Sequence, residues 1–396
     1  MTEMKPLRHM ACFFHDATES TVMKRIEAFQ ACGSDVTGFT FRRLRNKRTR
    51  PPFWRNIDLG VTEERNYLKR LPKLAAGLFK VLTHWRTLRQ ARVFYARNID
   101  MLIIAVLARA LTASRGAVVY EVLDIQRVFL GDGRMNKAVR WAERTLLKHT
   151  QLLVVSSPDF MSRYFVPVQG YAGAWHLLEN KVSGSTRLSE ALSGSRDPQP
   201  PPPPWVIGWF GVLRCRRSLE VLALIAEKLG DKVSIQLRGI ASEDDLPLAE
   251  IEARCAERRN MSYLGAYLNP DDLPTIYGAV HFAWSIDYLD AGTNSDWLLP
   301  NRLYEAGLFG VPALTREGTA TSRKATTEHL GWSFAEPLDH AVTQFLATLE
   351  TETYDAMRQS VSGKDRSAFV DTGDTRAMLQ RIDALAAGAS TLTSGA

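Results

Sequence analysis

Short apolar runs rich in Val, Ile and Phe alternate with longer segments of helical period along most of the chain. This alternation is typical of repeated βα units, whose strands pair in parallel because each helix crosses back over the sheet. In the first half we expect strands near 10–14, 35–39, 93–95, 117–123 and 152–156, and helices near 20–32, 99–111 and 137–148.

The run from Pro198 to Pro204 divides this pattern in two. Consecutive prolines cannot donate to a sheet ladder, so we interpret the run as a polyproline-type linker at a domain boundary. Beyond it the pattern restarts. We expect strands near 205–210, 233–237, 261–263, 280–284 and 311–314, and helices near 217–229, 246–257, 271–277 and 300–309.

The repeated pattern predicts an α/β protein of two Rossmann-like, doubly wound domains, and 396 residues suit two domains of ordinary size. We expect one domain over 1–182, a linker over 183–204 and a second domain over 205–375. Residues 376–396 are expected to form a C-terminal helix and a tail that is disordered from Ala387. Doubly wound sheets bind ligands at the carboxyl ends of their strands, so the catalytic cleft is expected between two facing domains.

Charge is distributed unevenly. Residues 1–182 carry 30 Lys and Arg against 15 Asp and Glu, a net charge of +15, whereas the remainder carries 20 against 28, a net charge of −8. A basic half suits nucleic acid, an anionic membrane or a phosphorylated substrate, and charge alone does not choose among them. The cations Arg42, Arg43, Arg45, Lys47 and Arg48 precede a segment with Leu74, Leu78, Phe79, Leu82 and Trp85 near helical spacing. This combination favours adhesion to an anionic leaflet, and a solvated surface with one core-facing stripe is the alternative.

The cysteines and the apolar runs indicate where in the cell the protein is found. The four cysteines lie far apart and form no CxxC pair, which argues against a disulfide framework and a structural zinc site. No secretory signal is visible, and the longest apolar run, 101–108, is shorter than a membrane span. We therefore expect a cytoplasmic protein bound peripherally to the inner face of the plasma membrane.

The most informative segment runs from Trp297 to Leu314. Pro300 suits the first turn of a helix and Gly310 the exit from that helix. The N-terminus of such a helix presents N–H groups and a positive dipole end, which suit a diphosphate. Glu305 has a carboxylate that can accept hydrogen bonds from both hydroxyls of a ribose. The alternative is an ordinary amphipathic helix between two strands.

This segment resembles the donor-binding motif of the GT-B glycosyltransferases of the family-4 type, P-x-K-x-x-E-x-x-A-x-G-x-P. The matching residues, with Arg in place of Lys, are Pro300, Arg302, Glu305, Gly310 and Pro312. The resemblance implies a GT-B fold and donor contacts from Asn301, Arg302 and Glu305. The family's E-x7-E pattern is not kept, because Trp297 stands at the first glutamate position. The loop 287–296, with Asn294 and Ser295, is expected to offer backbone amides to the sugar instead.

The segment 207–218 carries a second part of the resemblance, a strand that runs into a glycine turn and then cations. Gly211 supplies the turn, and Arg217 stands where the family places a Lys or Arg on the donor diphosphate. Arg214 is expected to bind the donor as well. Guanidinium groups suit a leaving pyrophosphate because negative charge accumulates there as the glycosidic bond breaks. The alternative is a set of solvated arginines at a helix start.

Acceptor chemistry is expected in the first half, where the apolar strand 118–124 ends in an acid. Asp124 is the candidate general base for a sugar hydroxyl, and a helix N-cap is its alternative role. Related inverting GT-B enzymes of exopolysaccharide synthesis carry an aspartate after a similar strand. Further candidates at or near strand ends are His15 and Asp16 as catalytic groups, and Arg97, Asn98 and Glu121 on the acceptor side.

The resemblance implies transfer of a sugar from a nucleotide-diphosphate donor, with UDP expected, to a lipid-diphosphate-linked oligosaccharide in bacterial exopolysaccharide biosynthesis of the succinoglycan type. The family-4 likeness implies retention of the anomeric configuration, whereas a base at Asp124 implies inversion. No metal or other cofactor is expected, because the acidic run 243–245 lies in a polar turn where helix capping is favoured.

Two rival interpretations remain. A sugar-nucleotide 2-epimerase would share the two-domain layout without needing a membrane surface. A basic nucleic-acid-binding protein would explain the positive half but leave the motif at 300–312 unexplained.

Overall fold

The first half of the chain builds one parallel sheet of seven strands. The strands are β1 (Arg8–Phe14), β2 (Ser34–Arg42), β3 (Arg55–Val61), β4 (Val93–Arg97), β5 (Ala117–Val122), β6 (Leu152–Val155) and β7 (Trp175–Leu177). They lie in the order β3-β2-β1-β4-β5-β6-β7. Helices α1 (Ser20–Ala31), α2 (Tyr67–Leu82), α3 (Trp85–Gln90), α4 (Ile99–Leu111), α5 (Arg134–Leu147) and α6 (Pro158–Phe160) connect them.

Apolar side chains cover both faces of this sheet. On one face Phe14 of β1 packs in a core cluster with Val22 and Phe29 of α1. On the other, Phe13 stacks on Phe39 and Phe94, with ring centroids 5.2 and 6.1 Å away. Strands β4 and β5 are buried along their whole length, as parallel strands between two layers of helices must be.

The second half builds a parallel sheet of six strands. The strands are β9 (Trp205–Leu213), β10 (Val233–Ala241), β11 (Met261–Tyr263), β12 (Phe282–Trp284), β13 (Ala313–Arg316) and β14 (Gly331–Phe334), and a separate parallel pair is formed by β8 (Val182–Ser183) and β15 (Val370–Asp371). The sheet order is β11-β10-β9-β12-β13-β14. The helices are α7 (Arg216–Leu229), α8 (Leu248–Ala256), α9 (Leu273–Gly278), α10 (Asn294–Trp297), α11 (Asn301–Leu308), α12 (Ala320–Thr327), α13 (Leu338–Thr348) and α14 (Thr351–Ser362).

Aromatic residues fill both faces of the second sheet as well. Trp205 and Phe282 pack with Tyr354 on one face, with ring centroids 5.1 to 5.7 Å apart. On the other face Phe210 meets Tyr277 edge to face at 5.2 Å. Burial of each such side chain contributes roughly 1.5–3 kcal/mol, so the two faces form a substantial core.

This computed structural model describes residues 8–42, 51–62, 67–184, 188, 192 and 204–393. Two compact units are present: Met1–Glu179 with Thr372–Ala396, and Asn180–Asp371. The basic stretch 43–50 lies outside the described residues. So do 185–187, 189–191 and 193–203, which make up most of the expected linker. The α/β class with two parallel sheets is confirmed.

The C-terminal helix α15 (Asp374–Thr393) corrects the expected tail. Disorder was expected from Ala387, but the helix continues to Thr393. Its residues Met378 and Ile382 are buried in the core of the first sheet, which anchors the helix to that unit. The pattern of small residues alone did not reveal this anchoring.

Five strands were not expected, namely β3, β7, β8, β14 and β15. Each is short or partly polar and lies at or near a sheet edge, where side chains need not be apolar on both faces. Within the described ranges, every helix falls short of the length or the apolarity that a membrane span requires.

Each sheet has one point at which the strand order reverses. In the first sheet β1 lies between β2 and β4, and in the second β9 lies between β10 and β12. The loops that leave the carboxyl ends of such neighbouring strands diverge and open a crevice, which is where ligands bind in doubly wound sheets. These loops begin at His15 and Asn98 in the first unit, and at Arg214 and Ser285 in the second.

Candidate active site

A small polar pocket of about 40 Å³ lies at the reversal point of the second sheet. Loops that follow β9, β12 and β13 form it, together with the start of α11. The lining residues are Arg214, Ser285, Ile286, Asp287, Ser295, Leu298, Pro300, Arg302, Arg316, Thr319 and Thr321. The pocket thus brings together three of the residues expected to bind the donor: Arg214, Ser295 and Arg302.

Arginine side chains dominate the electrostatics of this pocket. Arg214 Nη2 lies 2.8 Å from Asp287 Oδ2, and Arg316 forms an ion pair with Asp296. Burial raises the pKa of Asp287, but the charge of Arg214 and the hydrogen bonds from the Leu289 N–H and Arg214 together outweigh this effect, so the pKa lies below its usual value. Arg302 Nη1 donates to the carbonyl oxygen of Trp284 at 3.1 Å.

The helix α11 begins where the sequence motif places it. Pro300 is the N-cap residue, with extended backbone, rather than part of the first turn, and Asn301 is the first helical residue. A proline at the cap provides no side-chain acceptor for the first-turn N–H groups. The positive end of α11 therefore points to the pocket that Pro300 and Arg302 line.

Glu305 lies about one turn along α11 and is 7% exposed. Its Oε1 accepts a hydrogen bond from Asn269 Nδ2 at 2.7 Å, and its Oε2 accepts one from the Tyr277 hydroxyl at 3.1 Å. Burial, and then the charge of Glu305, raises the pKa of Tyr277, so the phenol keeps its proton for this bond. Two donors thus fix the orientation of the carboxylate.

Gly211 and the loop after β12 hold backbone close to the pocket. Gly211 has φ of +115°, a conformation that favours glycine, and a Cβ there would lie 4.0 Å from Arg302 Nη2. Ser295 Oγ accepts a hydrogen bond from the N–H of Asp290 at 2.9 Å, which closes the loop on itself. Asn294 is buried at the start of α10.

Arg217 lies outside the pocket lining. Its Nη2 is 3.2 Å from Glu336 Oε2, and its guanidinium lies 4.2 Å above the ring of Tyr288. Neither Glu336 nor Tyr288 could be recognised as a partner of Arg217 from the local sequence pattern.

Other lining residues were also missed, among them Asp287, Arg316 and Thr319. Thr319 could have been recognised from the sequence, because a threonine between a strand and a helical segment is typical of a helix N-cap. In the structure Thr319 Oγ accepts from the Ser322 N–H at 3.0 Å.

In the first unit, His15 and Asn98 meet at the reversal point. Asn98 Nδ2 is 3.0 Å from His15 Nδ1, and His15 Nε2 is 3.1 Å from Glu19 Oε2. Burial would raise the pKa of Glu19, but its hydrogen bond to His15 and nearby positive charge lower it well below its usual value. Asp16 Oδ1 accepts from both the N–H and the hydroxyl of Thr18, at 2.9 and 2.7 Å.

Glu121 and Arg97 form a buried ion pair. Arg97 Nε lies 2.8 Å from Glu121 Oε2, and Arg25 Nε lies 2.9 Å from Glu121 Oε1. Glu121 is 1% exposed, so both carboxylate oxygens face arginines instead of solvent. Asp124 is exposed in the loop after β5, and the N-cap position of the short helix 127–129 is Gln126, whose side chain makes no capping hydrogen bond.

Solved structures share this architecture. A sucrose-phosphate synthase from Thermosynechococcus elongatus has a TM-score of 0.68 at 14% identity, covering 96% of this chain and 100% of that one. HepE from Anabaena, in complex with UDP and glucose, has a TM-score of 0.67 at 13% identity, covering 95% and 100%. With the two parallel sheets described above, these similarities define a GT-B glycosyltransferase fold.

Sequence comparison defines the family more narrowly. No protein-family model matches the chain. Over 372 residues the chain is 34% identical to the succinoglycan biosynthesis protein ExoL of Rhizobium meliloti. The matched region covers 93% of this chain and 92% of that protein. The chain belongs to the ExoL family of GT-B glycosyltransferases of exopolysaccharide biosynthesis.

Proposed function

We propose that this glycosyltransferase moves a sugar from a UDP-sugar to a saccharide carried on a lipid diphosphate. The observation that carries the donor half of this proposal is the pocket at the reversal point of the second sheet. It combines the guanidinium groups of Arg214, Arg302 and Arg316 with the start of α11. Fixed cations and a helix N-terminus together suit a diphosphate, because its charge rises as the glycosidic bond breaks.

UDP is proposed as the nucleotide because HepE, which shares the fold, is described in complexes with UDP, with UDP and glucose, and with UDP-glucose. Glu305 supports a ribose site beside the diphosphate, since Asn269 and Tyr277 hold its carboxylate in one orientation. Nucleic acid is not proposed as a partner, because the 34% identical relative is a succinoglycan biosynthesis protein.

Titration calorimetry with UDP, GDP and ADP tests the donor site. UDP should bind the unmodified protein most tightly, and Arg302→Gln should weaken UDP binding by about tenfold, as the loss of a charged hydrogen bond does. Arg254→Gln is the matched control, since Arg254 is a surface arginine paired with Glu257. The donor assignment is wrong if UDP does not bind, or if the two variants bind UDP equally well.

The same protein distinguishes transfer from epimerisation. A UDP-sugar incubated without an acceptor should remain unchanged by a transferase apart from slow hydrolysis. Conversion to its 2-epimer, detected by NMR, would favour the epimerase alternative.

We propose that turnover needs no divalent metal. The described residues contain no cluster of three or more His, Cys, Asp or Glu side chains arranged to hold a metal ion. Asp287 and Asp296 lie at or next to the pocket, but each is paired with an arginine. These arginines can supply the countercharge that a metal would otherwise bring. Activity that falls in EDTA and returns with manganese would contradict this.

For the acceptor we propose the reversal point of the first sheet. Asp124, after β5, is the proposed base, and the His15–Asn98 pair is the proposed wall of the acceptor site. Arg97 and Glu121 are proposed as positioning residues behind them, because their mutual ion pair is buried.

An anionic membrane is the proposed location of the lipid-linked acceptor. Helix α4 packs against α2, α3 and α5, and these four helices carry six exposed large apolar residues: Phe79, Trp85, Leu107, Leu111, Met135 and Trp141. Exposed cations on or beside the same helices include Lys80, Arg86, Arg134, Lys137 and Lys148. Apolar anchors among cations are typical of proteins that bind an anionic leaflet.

Vesicle co-sedimentation tests this surface. Trp141 is 67% exposed, so Trp141→Ser should reduce binding to vesicles with anionic lipid without unfolding the protein. Replacing Lys137 and Lys148 with Gln should reduce it further, with a strong dependence on salt. Equal sedimentation with anionic and neutral vesicles would remove the membrane from the proposal.

A further inference from the structure

Tyr288 and Glu336 both contact Arg217, which lies outside the lining of the pocket in the second unit. The Tyr288 hydroxyl donates to Glu336 Oε1 at 2.8 Å, and the N–H of Leu338 donates to Glu336 Oε2 at 3.3 Å. Arg217 Nη2 lies 3.2 Å from this second oxygen, and its guanidinium stacks on the Tyr288 ring. The guanidinium of Arg316, a pocket residue, lies 5.1 Å from the same ring. The Arg217 pair is therefore adjacent to the pocket.

The arginine pairs differ in how firmly they are held. Arg214 Nη2 lies 2.8 Å from Asp287 Oδ2, and the side chains of Arg214 and Asp287 are 32% and 12% exposed, so this pair is the more enclosed one. In contrast, the side chains of Arg217 and Glu336 are 58% and 40% exposed. Exposed ion pairs contribute little to stability, so Arg217 can exchange Glu336 for another anion at low cost.

We propose that Glu336 is an internal counter-ion, which pairs with Arg217 when the site is empty and competes with the nucleoside diphosphate for it. This inference rests on the proposed donor site. When the acceptor hydroxyl oxygen forms its bond to the sugar C1 and gives up its proton to a base, the bond between C1 and the phosphate oxygen breaks, and the phosphate oxygen keeps the bonding electron pair. The nucleoside diphosphate then carries more negative charge than the donor did and attracts arginines more strongly. Glu336 offsets this gain and speeds the departure of that product.

Glu336→Gln tests the inference, because glutamine keeps the size of the side chain and removes its charge. UDP and inorganic pyrophosphate should bind this variant about two- to fivefold more tightly than the unmodified protein, the range of an exposed ion pair. UDP should also dissociate more slowly in surface plasmon resonance. Uridine, which lacks phosphate, should bind both proteins equally.

Asp339→Asn is the matched control. Asp339 lies in the same segment and pairs with Lys228 at 2.6 Å, so its replacement removes one negative charge from the same unit. It should leave UDP binding unchanged. A second variant, Tyr288→Phe, keeps the ring under Arg217 and removes the hydroxyl that holds Glu336, and it should also tighten UDP binding.

The outcomes separate the inference from the proposed function. If the unmodified protein binds neither UDP nor pyrophosphate, the donor site is wrong and the inference fails with it. If it binds UDP but Glu336→Gln binds UDP equally or more weakly, the donor site stands and the competing role of Glu336 is overturned. If Glu336→Gln and Asp339→Asn tighten UDP binding equally, the effect comes from the net charge of the unit. The competing role of Glu336 is then overturned as well.

Discussion

The side-chain amide of Asn98 donates to Nδ1 of His15 over 3.0 Å and joins the ends of the two strands at the reversal point of the first sheet. The opposite ring nitrogen, Nε2, faces Glu19 Oε2 at 3.1 Å. Because an amide N–H can only donate, Nδ1 of His15 is the acceptor of the bond with Asn98. Asn98 reaches this position with φ of 70° and ψ of 155°, a conformation that suits glycine.

Replacing Asn98 separates its backbone strain from its hydrogen bond. Asn98→Ala keeps the strained conformation and loses the bond, so it should lower the free energy of unfolding by about 0.5–1.5 kcal/mol. Asn98→Gly loses the same bond but relieves strain of about 1–3 kcal/mol, so it should be more stable than the alanine variant. Urea unfolding of both variants measures the difference. Equal midpoints would show that the backbone at Asn98 is not strained.

Much of the fold could be predicted because buried parallel strands are continuous apolar runs. Strands β1, β5 and β6 have this property and were expected at nearly their observed positions. Strand β3, with the sequence Arg-Asn-Ile-Asp-Leu-Gly-Val, is not a continuous apolar run, because an edge strand buries few of its side chains. The strand order arises from packing between distant segments, which the local pattern does not encode.

The Glu121 ion pair should make stability depend on pH. Burial raises the pKa of Glu121, but the charges of Arg97 and Arg25 outweigh it, so the pKa lies below its usual value of 4.5. The stabilisation is therefore complete above about pH 4.5 and is lost as the pH falls through the lower pKa of the folded state. At pH 7, Glu121→Gln should cost about 3–5 kcal/mol, because it leaves two arginines buried without a counter-ion.

Urea unfolding across pH measures this effect. The difference between the unmodified protein and Glu121→Gln should shrink as the pH falls below 4.5. Asp35→Asn is a suitable control, since Asp35 is half-exposed and pairs only with His9 among the ion pairs of the described residues. A difference that is constant from pH 7 to pH 3 would contradict the charged pair.

The candidate site could be predicted only where its chemistry is local. A proline before a helix, a glycine in a turn and an acid after a strand are short patterns, and they led to Pro300, Gly211 and Asp124. Asp287 and Glu336 are different, because they meet their arginines across more than seventy residues of sequence. The same limit applies to Glu121. Its partners Arg25 and Arg97 lie on other elements, so the pattern of its own strand does not reveal the ion pairs.

Glu305→Gln should weaken UDP binding by about tenfold or more while the protein stays folded. The change removes a charged acceptor from the proposed ribose site, and a hydrogen bond to a charged group is worth about 1.5–3 kcal/mol. Calorimetry measures the affinity, and the melting temperature reports the fold. Asn269→Ala removes one of the donors that orient Glu305 and should weaken binding less. Unchanged UDP affinity in Glu305→Gln would show that Glu305 only links α11 to its neighbours.

Asp124→Asn should lower turnover far more than it weakens UDP binding. Asp124 is exposed, so its replacement should leave the melting temperature unchanged, whereas loss of a general base typically costs about 10²–10⁴-fold in rate. Transfer of labelled sugar from a UDP-sugar to a bacterial lipid extract measures the turnover.

The configuration of the product decides what this loss means. An inverted anomeric centre in NMR, with a collapse in rate, identifies Asp124 as the base, because direct displacement by the acceptor hydroxyl inverts that centre. A retained centre restricts Asp124 to positioning the acceptor. Near-normal turnover in Asp124→Asn would exclude both roles and direct attention to Asp16 and His15, because Glu121 is enclosed by Arg25 and Arg97.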